Sequence, residues 1–244
     1  STELFGKDNH ADRVITYAAS FGNTTLEKLE KYQKANEIGN LLKKFDAISV
    51  RDANSGSIVE QLTGEEPVYN LDPVLTYDYM NCCNRIPQIK ATEKYLILYA
   101  YAGRISNDEA DWIAEYAKRK NLKVYAIGGI QKCADRFIDC SPFEVLAYFR
   151  NAEEIITDTF HGSIFSVITH RPFTTLIRKS VGNSYGNEEK LSDLLNRLGL
   201  TERMTTKVED AKRINQEPVN YEKVDELLKA HREIAKNYLR ENLL

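Results

Sequence analysis

The chain has 244 residues, enough to bury one or two hydrophobic cores, and its 42% hydrophobic content is typical of a globular protein. A formal net charge of −3 argues against a protein that binds nucleic acid by neutralising phosphates over a broad face. No apolar run approaches the ~20 residues that a membrane-spanning helix needs, and no charged-then-apolar leader opens the chain. The four cysteines lack the spacing of a disulfide framework or a metal site, which predicts reduced thiols in a cytoplasmic protein, with the inner membrane surface as an alternative location.

The first third of the chain alternates strand-like and helix-like patterns. In chain order the patterns predict a strand at 14–20, a capping box at 24–27 that opens one long helix to about 43, a strand at 47–50, a short helix at 57–62 ended by Gly64, and a strand at 68–71. The mixed polar stretch 81–92, which contains Pro87, breaks this rhythm and is interpreted as a linker.

A second β/α series follows the linker. It comprises predicted strands at 95–100, 124–127, 154–156 and 173–177, helices opened by capping boxes at 106–109 and 141–144, a helix after 162, and helices at 190–198 and 221–239. Two such series predict two doubly wound domains that face a cleft. The predicted boundaries are 1–80 and 93–205 for the domains, 81–92 for the linker and 206–244 for a helical tail.

The stretch 157–168 leads directly from a strand into a helix. Such a turn lies at the carboxyl edge of a sheet, where open α/β folds bind ligands, and the helix N-terminus favours an anion. Gly162 allows close backbone approach, and the imidazole of His161 can act as a hydrogen-bond donor or acceptor. This predicts an anion site that contains an acid–base group. The alternative is a simple helix cap with His161 satisfied in the core.

Three further positions follow predicted strands. Arg51 can hold a carboxylate or a phosphate in bidentate geometry, although an Arg–Asp pair within the domain is the alternative. Asp72 precedes Pro73, which is also a common turn. Ser20 and Gly22 form either another anion-facing turn or a simple bend.

The ordered motifs between 14 and 203 resemble the polysaccharide pyruvyl transferase family. They read Tyr-Ala-Ala-Ser-Phe-Gly at 17–22, Ser-Val-Arg-Asp at 49–52, Leu-Asp-Pro at 71–73, Asp-Thr-Phe-His-Gly-Ser at 158–163, and Leu-Leu-Asn-Arg-Leu-Gly-Leu-Thr-Glu-Arg at 194–203. The resemblance implies a GT-B-like α/β fold with two Rossmann-like domains. It also implies transfer of the enolpyruvyl carbon of phosphoenolpyruvate to two hydroxyls of a sugar in a cell-surface or exopolysaccharide precursor, which forms a ketal and releases phosphate.

The resemblance also implies roles for individual residues. The expected catalytic residues are His161 and Asp72; the expected donor-binding residues are Arg51, Thr159, Phe160, Gly162 and Ser163; and the expected acceptor-side or supporting residues are Ser20, Gly22 and Asp158. No cofactor and no metal is expected. The expected partners are phosphoenolpyruvate and a sugar or polysaccharide acceptor, lipid-linked acceptors included, without nucleic acid or a transmembrane segment.

Two departures from the family pattern leave other functions open. Thr159 stands where some members have an arginine that binds the donor. The family also has a first βα unit before the Tyr-Ala-Ala-Ser-Phe-Gly region, which leads us to expect a chain with an incomplete N-terminal domain. The alternatives are a GT-B glycosyltransferase that uses a nucleotide sugar, and a non-catalytic carbohydrate-binding relative.

Overall fold

The computed structural model describes residues 2–179 and 186–243 of the chain. These residues form two compact units. The first unit comprises Ser1–Tyr77 together with Asp225–Leu244, and the second comprises Asp78–Val224. Both units are built from parallel strands and helices, as the sequence predicted for an α/β protein.

The first unit is a small β/α unit. Its elements are a 3₁₀ helix at Thr2–Phe5, α1 Leu26–Lys31, α2 Ala35–Leu42, β1 Ser49–Val50, α3 Ala53–Thr63, β2 Val68–Tyr69 and α4 Pro73–Thr76. β1 and β2 pair in parallel. Their helices cover a core around Leu42, Val50 and Ile58, which are all buried. The predicted strand at 47–50 therefore forms as β1, and the apolar face of α2 packs in the same core.

The predicted strand at 14–20 is interrupted. Ile15 and Ala19 each make an isolated parallel bridge, to Ala47 and Val50 respectively. Between them, Ala18 has a φ of 50°, in the left-handed region. Because a residue in that conformation turns its peptide groups out of the ladder, the Ala18 N–H donates to the Ser49 Oγ at 2.8 Å instead of to a backbone carbonyl.

The single long helix predicted from 24 to 43 is also wrong. The chain forms α1 and α2, which are separated where Gln33 takes a φ of 54°. The predicted capping box at 24–27 is replaced by a simple cap, in which the Thr25 hydroxyl accepts from the Lys28 N–H. Helix α3 also begins earlier than predicted, because Asp52 caps its N-terminus, but it ends at Gly64 as expected, with a φ of 84°.

The second unit contains a six-stranded sheet in which each paired strand is parallel to its neighbour. Its elements are α5 Tyr79–Cys82, β3 Tyr95–Tyr99, α6 Asn107–Arg119, β4 Lys123–Ile127, β5 Arg136–Phe137, α7 Pro142–Asn151, β6 Glu154–Thr157, α8 Phe160–Ile168, β7 Phe173–Leu176, α9 Glu188–Arg197, 3₁₀ helices at Thr201–Arg203 and Val208–Asp210, β8 Met204–Thr205 and α10 Ala211–Ile214. The strand order is β5-β4-β3-β6-β7-β8. Helix α11, Tyr221–Leu243, continues from this unit into the C-terminal part of the first.

The centre of this sheet is as apolar as the sequence predicted. β3 and β6 lie side by side with Leu98 and Ile156 fully buried, because helices cover both faces of a parallel sheet. Both predicted capping boxes are present, at Ser106 and Ser141. The edge strands β5 and β8 were not predicted, since two residues each give no hydrophobic pattern to detect. None of the described helices is long and apolar enough to cross a membrane.

Candidate functional site

The turn between β6 and α8 is held by three threonine contacts. Thr159 caps α8, and its hydroxyl accepts the N–H of Gly162 at 2.9 Å. The Thr159 N–H donates to the Thr157 hydroxyl at 3.0 Å, and that hydroxyl donates to the Tyr99 carbonyl oxygen at 2.8 Å. The start of α8 is therefore fixed to the carboxyl end of β3, the neighbouring strand.

Gly162 is required by the packing of this turn. A Cβ atom at this position would lie 2.1 Å from the Thr157 Oγ1 and 2.7 Å from the Thr159 Oγ1. The sequence predicted that this glycine allows close approach of a ligand. The structure shows that the groups approaching it belong to the chain itself.

His161 is the second residue of α8 and is half-buried. Its ring centroid lies 5.7 Å from that of Phe160, edge-on, and 5.9 Å from that of Phe165. Phe165 in turn stacks on Tyr99 at 6.2 Å. The imidazole is thus supported by aromatic rings in the first turn of a helix, and part of its surface reaches solvent.

Ser163 faces the protein interior. Its hydroxyl lies 3.3 Å from the Thr159 carbonyl oxygen and 2.9 Å from the Thr175 hydroxyl on β7, and the residue is fully buried. These contacts fasten α8 to the sheet. The side chain of Ser163 thereby keeps the turn in place, and it points away from the exposed part of His161.

Asp158 lies between β6 and the cap and is completely buried. Within the part of the chain that the structure describes, neither carboxylate oxygen accepts a hydrogen bond. The closest cation is Arg104, whose Nη1 lies 3.7 Å from the Asp158 Oδ2. Burial raises the pKa of Asp158 above its ordinary value, although the charges of Arg104 and Arg178 oppose this rise.

Arg178, which follows β7, belongs to the same charged cluster. Its Nη1 donates to the Glu109 Oε1 at 2.7 Å, and Glu109 is itself held by the capping box of α6, where its Oε2 accepts the Ser106 N–H at 2.9 Å. Burial alone would raise the pKa of Glu109, but the hydrogen bond from Arg178 outweighs this effect and keeps the pKa below its ordinary value. Asn187 ties the backbones together, accepting from the Arg178 N–H and donating to the Asp158 carbonyl oxygen, both at 2.6 Å.

Sequence reasoning missed Arg104 and Arg178. Each lies in a loop after a strand, and neither is part of a motif with fixed spacing. They meet because β3, β6 and β7 are neighbours in the sheet, so that residues 74 positions apart in the chain reach the same carboxyl edge. The only local signal was a basic residue at the end of an apolar strand, which is too common to single out.

The other predicted site residues lie in the first unit and form three contacts there. The Ser20 hydroxyl donates to the Asp52 Oδ2 at 2.6 Å, and the Gly22 N–H donates to the Ser20 Oγ at 3.0 Å, with Gly22 at a φ of 65°. The Arg51 Nη1 lies 2.5 Å from the Asp72 Oδ2. The Arg–Asp pair that the sequence left as an alternative thus exists, but with Asp72 as the partner.

Asp72 is 3% exposed and also caps α4, since its Oδ1 accepts the Val74 N–H at 3.0 Å. Both of its oxygens are therefore engaged in holding the end of the first β/α unit. The Arg51 side chain is one-quarter exposed, whereas that of Asp72 is almost fully buried.

The family is settled by a family model described as polysaccharide pyruvyl transferase, which matches residues 3–180. The chain belongs to the polysaccharide pyruvyl transferase family. The matched range includes both groups of site residues, the Arg51–Asp72 pair and the turn at the start of α8. A search of curated proteins found no match to the chain.

Solved structures with the same architecture are distant in sequence. A putative UDP-N-acetylglucosamine 2-epimerase from Listeria monocytogenes aligns with a TM-score of 0.55 at 10% identity, over 93% of this chain and 66% of its own. The glycotransferase of kitacinnamycin aligns with a TM-score of 0.49 at 13% identity, over 88% of this chain and 60% of its own. The alignment with the epimerase supports a GT-B-like fold for this member of the polysaccharide pyruvyl transferase family. The chain spans less than two thirds of the length of either structure.

Proposed function

We propose that the protein transfers a pyruvyl group from phosphoenolpyruvate to two hydroxyls of a sugar in a cell-surface or exopolysaccharide precursor. Family membership supports this reaction. The observation that carries it is the half-buried imidazole of His161 in the first turn of α8, at a sheet edge that also holds Arg104 and Arg178. An acid–base group beside cations suits a donor that carries both a phosphate and a carboxylate.

The proposed chemistry begins with protonation of the donor. His161 in its imidazolium form donates a proton to the methylene carbon, which leaves the adjacent carbon electron-poor. A sugar hydroxyl adds to that carbon and returns a proton to His161, and phosphate departs with the C–O bonding electrons. A second hydroxyl of the same sugar then adds to the same carbon and gives its proton to the released phosphate, which closes the ketal. Cationic groups that hold phosphate and carboxylate stabilise the negative charge of the leaving group.

We further propose that the donor lies against Phe160 and His161 in the second unit, at the turn that Thr159 caps. Within the first unit, we propose Arg51 as an anion-binding residue. In this proposal Asp72 acts by holding Arg51, since both of its oxygens are already engaged. Ser20 and Gly22 are proposed to support the first unit on the acceptor side. Asp52 has the same role, since it caps α3 and accepts a hydrogen bond from Ser20. The acceptor is a sugar or polysaccharide, lipid-linked or free, and the proposed location is the cytoplasm.

The first test is the choice of donor. Thermal unfolding of the protein is followed with phosphoenolpyruvate and, separately, with nucleotide sugars at equal concentration. A ligand at 100 times its Kd stabilises the folded protein by about 2.7 kcal/mol, which is readily measured as a rise in Tm. Phosphoenolpyruvate is expected to raise Tm. A rise with nucleotide sugars alone would replace this proposal with a glycosyltransferase.

The second test concerns His161. Loss of a general acid lowers turnover by about 10²–10⁴-fold, so His161→Ala is expected to reduce phosphate release from phosphoenolpyruvate by that factor while donor binding changes little. The matched control is His231→Ala, which replaces a histidine on α11 far along the chain from the motif. Near-normal turnover in His161→Ala would remove the imidazole from the chemistry, and sugar binding without turnover in the unmodified protein would indicate a non-catalytic relative.

A further inference from the structure

Arg178 carries two N–H groups that the described part of the chain leaves without a hydrogen-bond partner. These are on Nε and Nη2, and both atoms are buried. The remaining end of the guanidinium is occupied, since Nη1 donates to Glu109 at 2.7 Å. A buried donor without an acceptor is costly, more so when it is charged, and native proteins seldom retain one without a reason.

The two vacant donors are on the same edge of the guanidinium. Nε–H and the adjacent Nη2–H project in parallel, the arrangement in which arginine grips two oxygens of one carboxylate or phosphate. Glu109 holds the opposite end and is itself fixed by the Ser106 N–H. These contacts fix the orientation of the Arg178 guanidinium, so that the edge formed by Nε–H and Nη2–H is held in one direction.

The surroundings of this edge are charged. Asp158 is completely buried, and its carboxylate accepts no hydrogen bond within the described residues. Arg104 approaches it only to 3.7 Å, which is beyond hydrogen-bond distance. Donors on Arg178 and acceptors on Asp158 are therefore both unsatisfied at the carboxyl ends of β6 and β7, in front of α8.

Arg178 lies at the margin of the unit. Its side chain as a whole is 22% exposed, although Nε and Nη2 themselves are buried. Asn187 bridges the backbone of Arg178 to that of Asp158, two residues before the first residue of α8. The backbone that carries Arg178 is therefore tied to the segment that leads into α8.

We propose that Arg178 is a donor-binding residue, whose Nε–H and Nη2–H grip two oxygens of one anionic group of phosphoenolpyruvate. Glu109 is its positioning residue, since it holds the guanidinium by the opposite end. This assignment rests on the proposed function for the identity of the ligand. The chemistry that the edge recognises is a carboxylate or a phosphate, and phosphoenolpyruvate carries both.

The test compares the affinity for phosphoenolpyruvate, by isothermal titration calorimetry, of the unmodified protein, Arg178→Gln and Arg178→Lys. Arg178→Gln is expected to weaken binding about 30-fold, which corresponds to about 2 kcal/mol. Arg178→Lys keeps the charge but not the parallel donors, and an intermediate loss is expected. The control is Arg119→Gln, which removes an arginine with 61% of its side chain exposed on α6 and should bind as the unmodified protein does.

Glu109→Gln tests the positioning role. It keeps the shape of the side chain and a hydrogen-bond acceptor but removes the charge that anchors the guanidinium. Affinity is expected to fall about threefold to tenfold while His161-dependent turnover at saturating donor is retained, a split between KM and kcat that general destabilisation would not produce.

Competition with pyruvate and with inorganic phosphate identifies the anionic group. Whichever of the two loses affinity in Arg178→Gln is the group that Arg178 holds, and either result supports the assignment. Folding of each variant is checked by circular dichroism. Equal affinity for phosphoenolpyruvate in folded Arg178→Gln would overturn the assignment while leaving the proposed function intact, whereas no binding by the unmodified protein would overturn the proposed function itself.

Discussion

At the scale of single residues, most of the motif at 158–163 stabilises the turn before α8, and only part of it can contact a ligand. Thr157, Thr159 and Gly162 are needed because two hydroxyls and a helix N-terminus share the same small space. Only the half-buried pair Phe160 and His161 present surface at this turn. A motif of six residues thus contains a few that can meet a ligand and several that hold the turn.

Replacing Gly162 tests this interpretation. In Gly162→Ala the new Cβ would lie 2.1 Å from the Thr157 Oγ1, so the turn must shift, and a loss of about 1–3 kcal/mol in the free energy of unfolding is expected. The measurement is urea denaturation. The same change made in a Thr157→Ala background should cost less, because the nearest atom has been removed, and strictly additive effects would contradict the packing argument.

The Arg51–Asp72 pair gives a second residue-scale prediction. Asp72→Asn keeps a capping side chain but leaves the Arg51 guanidinium without its charged partner, so a loss of about 1–3 kcal/mol in the free energy of unfolding is expected. The control is Glu37→Gln, which breaks the exposed pair with Lys34 and should cost about 0–1 kcal/mol. Equal effects of the two variants would mean that burial of Asp72 contributes nothing.

At the scale of elements, two of the predicted elements are interrupted where the backbone enters the left-handed region at a residue other than glycine. Ala18 interrupts a strand and Gln33 divides a helix. Neither alanine nor glutamine is a residue type from which a left-handed conformation can be predicted. By contrast, Gly64 and Gly199 ended helices as predicted, because glycine is the usual residue in that position.

Gln33 offers a direct test at this scale. The residue is exposed and has a φ of 54°, so Gln33→Gly should relieve backbone strain and raise the free energy of unfolding by about 0.5–1 kcal/mol. The comparison is Lys31→Gly at the last residue of α1, where the helical conformation makes glycine unfavourable by about 1 kcal/mol. Thermal or urea unfolding should therefore move in opposite directions for two glycines placed two residues apart. Destabilisation by both would indicate that Gln33 belongs to a continuous helix.

At the scale of the whole molecule, local signals sufficed for the four central strands of the parallel sheet but not for its edge strands or for the site. The capping boxes at Ser106 and Ser141 and the apolar run of β3 depend on neighbouring residues only, and all of them are present. The cluster of Arg104, Arg178 and Asp158 depends on strand order, which places β6 between β3 and β7. No spacing in the sequence encodes that order. Arg178, which follows β7, is our proposed replacement for the donor-binding arginine that some family members have at the position of Thr159.

Hydrogen exchange across the chain provides the last prediction, because a bound donor slows local opening only where opening would release it. At 100 times its Kd, phosphoenolpyruvate should slow such exchange by about 100-fold, equivalent to about 2.7 kcal/mol. We expect this protection in peptides covering 157–165 and in those containing Arg178, where the Arg178 contacts and the start of α8 meet. The central part of α11 serves as the internal control and should exchange at an unchanged rate.

The same experiment on Arg178→Gln, at a donor concentration that saturates the unmodified protein only, should show that most of the protection at 157–165 is lost. Protection that is absent from 157–165 in the unmodified protein, despite measurable binding, would place the donor elsewhere in the molecule.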